Sequence, residues 1–229
     1  MKNNENLKEL LNSNGVVIVD KKNLDKSVIH YETQCLVHID NLIEIQRIFM
    51  KCKEPFSLGL SSSIWNDIEE FKVWNRRARA VLSDNNISRV EIVINKAEKC
   101  IETLYKLNYI NLITRAMNRN EICVGRPFES NLFRDRELKL ADISKVSFNM
   151  IEHDCYMYLS RLKRKQIELQ WGELINYFVK KHELGNESED YILALLSYPY
   201  DSMRFIQKYY RNGIDDKKDF LDKFNEINK

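Results

Sequence analysis

Residues 122–142 read ICVGRPFESNLFRDRELKLAD. Two apolar runs, 122–124 and 138–141, enclose a loop and the charged turn Arg134, Asp135, Arg136, Glu137, a pattern that predicts a small β-hairpin. Every long amphipathic segment lies before or after this stretch. The fold expected is therefore α+β and mainly α, with a small β-hairpin at its centre and helices on either side.

The spacing inside the stretch resembles the catalytic loop and metal-binding strand of the aminoglycoside-phosphotransferase-like kinases, in particular the CotS-type spore coat proteins of spore-forming bacteria. Their frame is His-Gly-Asp, four residues, Asn, then a hairpin that ends in two apolar residues and Asp. Here the frame reads Val124-Gly125-Arg126, residues 127–130, Asn131, and after the hairpin Leu140-Ala141-Asp142. Downstream, Asp154 followed by Tyr156, Met157, Tyr158 and Leu159 resembles the family's Asp-led helix. Tyr198-Pro199, then Phe205, Tyr209, Tyr210 and Asn212, resemble the tyrosine-proline and paired-tyrosine segment of the spore coat branch. The resemblance covers roughly residues 60–229.

The resemblance implies a kinase-like carboxyl-terminal lobe over 57–229, with 1–56 as a reduced amino-terminal lobe and linker helix. It places Asn131 and Asp142 at the family's two metal-ligand positions and gives Asp154 the role of bracing the catalytic loop. It also places Arg126 where phosphoryl transfer needs a carboxylate to position the attacking hydroxyl. A guanidinium accepts no proton at neutral pH and carries the opposite charge. The expectation is thus a catalytically inactive, pseudokinase-type protein with no catalytic residue in the degenerate loop Val124, Gly125, Arg126. It is expected to be made in the mother-cell cytoplasm and then to join the spore coat as a scaffold among other coat proteins. No cofactor is expected. The first alternative is a phosphotransferase with residual nucleotide binding, holding Mg²⁺ and ATP weakly at Asn131 and Asp142.

Outward toward the amino terminus, 16–19 is an apolar run and 28–37 holds the β-favouring Ile29, Tyr31, Thr33 and Val37, so both read as strands, with 21–26 as a polar turn. A kinase amino-terminal lobe also needs a phosphate-covering loop and a phosphate-binding lysine. The chain's 6 glycines form no such loop, and Lys21 and Lys22 lie in the polar turn. From Asp40, a good N-cap, Leu42, Ile43, Ile45, Ile48, Phe49 and Cys52 predict a helix ending before Pro55. Residues 56–63, with Gly59 and a run of serines, form the one domain-like boundary visible in the sequence.

Helices are expected over about 64–82, 88–117, 151–165 and 169–182, followed by three shorter ones. Asn108 and Asn111 are candidate breaks in the second, which periodicity leaves open. Residues 143–149 read as irregular. Arg76, Arg77 and Arg79 beside Trp65 and Trp74, and the cluster Arg161, Lys163, Arg164, Lys165, support a third reading as a nucleic-acid-binding helical module. Their apolar spacing and position at a helix end favour core packing and dipole compensation instead, so nucleic acid is disfavoured as a partner.

Composition narrows the remaining classes. Lys plus Arg number 36 against 34 for Asp plus Glu, which gives no general attraction to nucleic acid or an anionic membrane. No apolar run reaches the roughly 18 residues that span a bilayer, and the first residues lack the apolar core of a signal peptide. The 5 cysteines, Cys35, Cys52, Cys100, Cys123 and Cys155, show no Cys-x-x-Cys spacing, and His30, His38, His153 and His182 are dispersed, which argues against zinc. Cys123 beside Arg126 is a nucleophile candidate without an identifiable base, and reads as buried filling.

Overall fold

The computed structural model describes residues 3–19, 32–64, 66–85, 88–212 and 217–227. In chain order the elements begin with α1 (Asn3–Ser13), β1 (Val16–Ile18), α2 (Glu32–Met50), a 3₁₀ turn at Pro55–Leu58, α3 (Asn66–Asn85), α4 (Ser88–Lys106) and α5 (Tyr109–Arg119). Four short strands follow: β2 (Ile122–Cys123), β3 (Leu132–Arg134), β4 (Leu138–Leu140) and β5 (Ser147–Phe148). The chain then continues through α6 (Glu152–Arg164), α7 (Trp171–Lys181), α8 (Asn186–Ser197), α9 (Tyr200–Asn212) and α10 (Lys217–Ile227). The protein is α+β and mainly helical.

The chain divides into two compact units, Met1–Ile64 with Asn108–Leu193, and Trp65–Leu107 with Ala194–Lys229. Each unit is made of two stretches of chain, so no single cut such as 56/57 separates them. At the serine run, Phe148 N donates to Ser61 O at 2.9 Å, Ser63 N donates to Phe148 O at 2.9 Å, and the Ser63 and Ser147 hydroxyls are hydrogen-bonded at 2.8 Å. Residues 61–63 are therefore tied to β5, and the boundary falls after them.

In the first unit the central stretch folds otherwise than a hairpin of 122–124 against 138–141. The hairpin is β3 with β4, in the register Leu132↔Leu140 and Arg134↔Leu138. Its turn is held by the Asp135 carboxylate, which accepts from the Arg136 and Glu137 amides and pairs with Lys139. Strand β2 pairs instead with β5, Ile122↔Phe148 and Cys123↔Ser147, inside the segment expected to be irregular. Two-residue strands give too little periodicity to be read from sequence.

Strand β1 runs parallel to β4, Val16↔Leu138 to Ile18↔Leu140, completing a three-stranded sheet of order β1-β4-β3. It is thus the edge strand of the hairpin's own sheet. A three-residue strand has no independent stability, and the open edge of β4 supplies its partners. The second expected strand, 28–37, is helical from Glu32 onward. Cys35, Ile39, Leu42, Gln46 and Phe49 are all buried along α2, and that long face overrides the local β preference of Thr33 and Val37. Residues 28–31, with Lys21 and Lys22, lie outside the described residues.

The expected helix over 88–117 is two helices. Asn108 adopts the left-handed conformation, φ 47°, and separates α4 from α5.

The second unit packs α3 against α4 and α9. The Phe71 and Tyr198 rings stack with centroids 3.6 Å apart, and the Tyr198 hydroxyl donates to Asn75 Oδ1 at 3.1 Å. Phe220 and Phe224 of α10 close over Phe205 of α9. Trp74 is buried against Tyr200, while Arg79 donates to both carboxylate oxygens of Glu98 and Arg77 reaches Gln207. Two of the arginines of the proposed nucleic-acid face are thereby engaged within the unit, and Trp65 lies outside the described residues.

Candidate functional site

The loop 124–131 is fixed almost residue by residue. Asp154, in the first turn of α6, is fully buried and accepts hydrogen bonds from Val124 N (2.7 Å) and Gly125 N (2.9 Å). Gln46 of α2 donates to the same carboxylate at 3.0 Å and to Ile151 O at 3.2 Å. Both Gln46 amide protons are thus used, so its Oε1 is the acceptor for the His182 ring at 2.8 Å, which assigns the proton to His182 Nε2. One hydrogen-bonded chain therefore runs from the end of α7 through α2 and α6 to the loop. Burial pushes the Asp154 carboxyl up, opposed by His153, the two loop amides and Gln46.

Gly125 makes the loop's close approach. Its φ is +71°, and a Cβ placed there would lie 2.2 Å from Lys145 O. One residue on, the Arg126 carbonyl accepts from Asn131 Nδ2 at 2.9 Å and its guanidinium donates to Asp142 Oδ2. The Pro127 carbonyl accepts from His38 Nε2 at 2.8 Å, and the Phe128 ring lies under the Arg161 guanidinium, 4.3 Å from its centroid. The cation expected to cap α6 therefore also holds the loop.

Asn131 and Asp142 come together through their backbones. Asn131 Nδ2 also donates to Asp142 O at 3.2 Å, Asn131 Oδ1 accepts from Asp142 N at 2.6 Å, and Ala141 N donates to Asn131 O at 2.9 Å. Asp142 Oδ1 accepts from Ser144 N at 2.9 Å while Oδ2 carries the Arg126 ion pair. Val124, Gly125, Arg126, Asn131, Asp142 and Asp154 thus form one cluster. As folded, the positive guanidinium of Arg126 lies against the Asp142 carboxylate and opposes a divalent cation at that oxygen, while Asn131 Oδ1 and Asp142 Oδ1 each accept a backbone N–H. Among the described residues no group of three or more His, Cys, Asp or Glu could hold a metal ion.

Cys123 donates to Met150 O at 3.0 Å and is buried, and burial together with the Asp154 and Glu121 charges drives its thiol well above the ordinary range. It is a packed thiol, in a setting that disfavours the thiolate.

Sequence reasoning missed three parts of this region. Gln46 and His38 sit on the apolar face of α2, and a polar residue in a buried stripe was the available signal. The second part is a pair of buried atoms, Glu129 Oε1 and the Tyr158 hydroxyl: neither makes a hydrogen bond of ordinary geometry, and burial, then the Glu129 charge, pushes the phenol well up. The third part is an ionic network at the start of α6. Arg115 donates to Glu121 Oε1 (2.9 Å) and Oε2 (3.1 Å) and to Glu152 Oε2 (2.7 Å), and Ser188 donates to Glu152 Oε1 at 2.5 Å. Glu121 Oε2 also accepts Ile151 N at 3.2 Å, which anchors the chain just before α6 and Asp154.

The two buried histidines give stability a pH dependence. Burial lowers His38, and burial with the positive charges of Arg47, Arg115 and Arg119 lowers His182 to about 3. In the unfolded chain both take up a proton near pH 6.5. Their contribution is therefore complete above that pH and is lost as pH falls toward about 3 for His182. Urea unfolding at pH 7.0 and 5.5 is expected to show a loss of about 1 kcal/mol from His182, with His38 adding to it in the same direction. A His182→Gln variant, which keeps a donor for Gln46, should lose the His182 part of that difference. Equal stability at both pH values contradicts the assignment. The raised Glu121 carboxyl acts with the opposite sign, favouring the fold as pH falls, but from its ordinary value of 4.5 upward its proton uptake is opposed by Arg115.

No family model matches the chain, and no curated protein matches it. Among the described residues no helix is long and apolar enough to cross a membrane.

Proposed function

We propose that the first unit is a kinase-like lobe in which the phosphoryl-transfer site has become a closed structural loop, and that the protein serves as a non-catalytic scaffold among other spore coat proteins. The observation that carries the reading is the Arg126–Asp142 ion pair. A cation tethered to the loop stands against the carboxylate that a metal ion would need, at a position where transfer would need a base.

The order of parts supports the kinase-like reading. A short strand leads into a loop braced from below by the aspartate of a following helix, Asn131 precedes a two-stranded hairpin, and Asp142 follows it. The spore coat setting is supported by the sequence resemblance, with Tyr198 and Pro199 among its residues. Asp142 favours the second reading, a phosphotransferase with residual nucleotide binding, because its carboxylate reaches the surface and its partner Arg126 is 41% exposed.

A fluorescently tagged copy followed through sporulation tests the coat assignment. It should collect at the spore surface and be extracted with the coat layer. A copy that stays dispersed in the mother cell contradicts the scaffold role.

A further inference from the structure

The first unit also carries a groove of about 450 Å³ lined by Asn14, by Ile43, Arg47, Ile48 and Lys51 on one face of α2 and just beyond its end, and by Lys181 of α7. Asp40 and Glu44 lie in the same wall, but both have partners. Glu44 accepts from Arg134 at 2.5 Å, and the Asp40 oxygens accept from the Tyr177 hydroxyl at 2.8 and 2.9 Å, with Lys181 Nζ at 3.9 Å. Arg47 donates to the backbone carbonyl of Lys181, and neither Arg47 nor Lys51 makes an ion pair among the described residues. The uncompensated charge in the groove is therefore positive, and Ile43 and Ile48 supply apolar wall.

We propose that this groove binds a small organic anion, a phosphate monoester or carboxylate with an apolar body. The charged end sits at Arg47 and Lys51, where a guanidinium and an ammonium give charge-assisted hydrogen bonds, and the body lies against Ile43 and Ile48. The volume lies in the range of small-molecule pockets, about 300–1,000 Å³. The groove also adjoins the chain of hydrogen bonds that holds the loop: Arg47 follows Gln46, and Lys181 precedes His182. This site is separate from the Arg126–Asp142 pair and does not depend on the kinase-like reading.

The test is an amide NMR titration of the full chain with phenyl phosphate, with inorganic phosphate and phenol as probes of charge alone and apolar body alone. Phenyl phosphate should give saturable shifts at the Arg47, Lys51 and Lys181 amides, inorganic phosphate should bind there more weakly, and phenol should not bind. Lys51→Gln, an exposed change, should weaken phenyl phosphate about tenfold, while Arg126→Gln should leave it unchanged. The proposal is overturned if no groove amide shifts at millimolar phenyl phosphate, if Lys51→Gln binds as the parent does, if phenol binds equally well, or if Arg126→Gln abolishes binding.

Discussion

A Gly125→Ala protein is expected to lose about 4 kcal/mol of stability, a drop in Tm of roughly 10 °C for a chain of this size. Two causes combine. An L side chain at φ +71° is strained, and its Cβ would meet Lys145 O at 2.2 Å, a backbone atom that cannot move aside as a side chain could. The loop must then shift, and Gly125 N leaves the Asp154 carboxylate that holds it at 2.9 Å. Gly15 separates the two causes. It has φ +75° but nothing within 4 Å of its Cβ position, so Gly15→Ala should cost only about 1 kcal/mol. Equal, small losses at both positions would mean that the loop is not packed against residue 145.

Replacing Arg115 by Met should be as damaging, at about 3–5 kcal/mol. The side chains of Glu121 and Glu152 are 0% exposed, and that of Arg115 is 19% exposed. Without the guanidinium, two carboxylates remain in a low-dielectric site with Ser188 and the Ile151 amide as their remaining donors. Burial already pushes the Glu121 carboxyl up, and without Arg115 nothing of like strength opposes it, so the loss should be smaller at pH 5 than at pH 7. Glu121→Gln in the Arg115→Met background should recover part of it, because one buried charge is gone. Chemical unfolding of the variants at the two pH values measures this. An Arg115→Met loss under 1 kcal/mol, independent of pH, would show the network to be a solvated surface cluster.

The sequence was most legible where packing repeats. The apolar spacing in α3, α6 and α7 placed those helices to within a few residues, because each buries one face and the period survives surface variation. It was least legible in the strands. β2 and β5 are two residues each, and their partners are set by the loop between them and not by their own composition. The segment 28–37 misled for the opposite reason: Thr33 and Val37 favour a strand locally, while Cys35, Ile39, Leu42 and Phe49 bury one face of a helix. Breaks were visible only as candidates, since Asn108 and Asn111 look alike in sequence and Asn108 alone takes the left-handed turn.

For the site, residue spacing marked Val124, Gly125, Arg126, Asn131, Asp142 and Asp154, and the structure gathers all of them around one loop. Spacing could not show that the Asn131 amide is consumed by the backbone of Asp142, nor that Arg126 turns onto the Asp142 carboxylate. Those are facts of side-chain direction. Gln46 and His182 are separated by 136 positions and joined by one hydrogen bond, a pairing that no local pattern encodes.

The central claim is that the loop is closed to nucleotide by its own ion pair. The most direct measurement is the Tm with and without Mg²⁺-ATP, for the parent chain and for Asp142→Ala. No shift is expected in either. A nucleotide at about 100 times its Kd would stabilise by roughly 2.7 kcal/mol, or on the order of 5–10 °C, and a shift of that size in the parent that disappears in Asp142→Ala would contradict the claim.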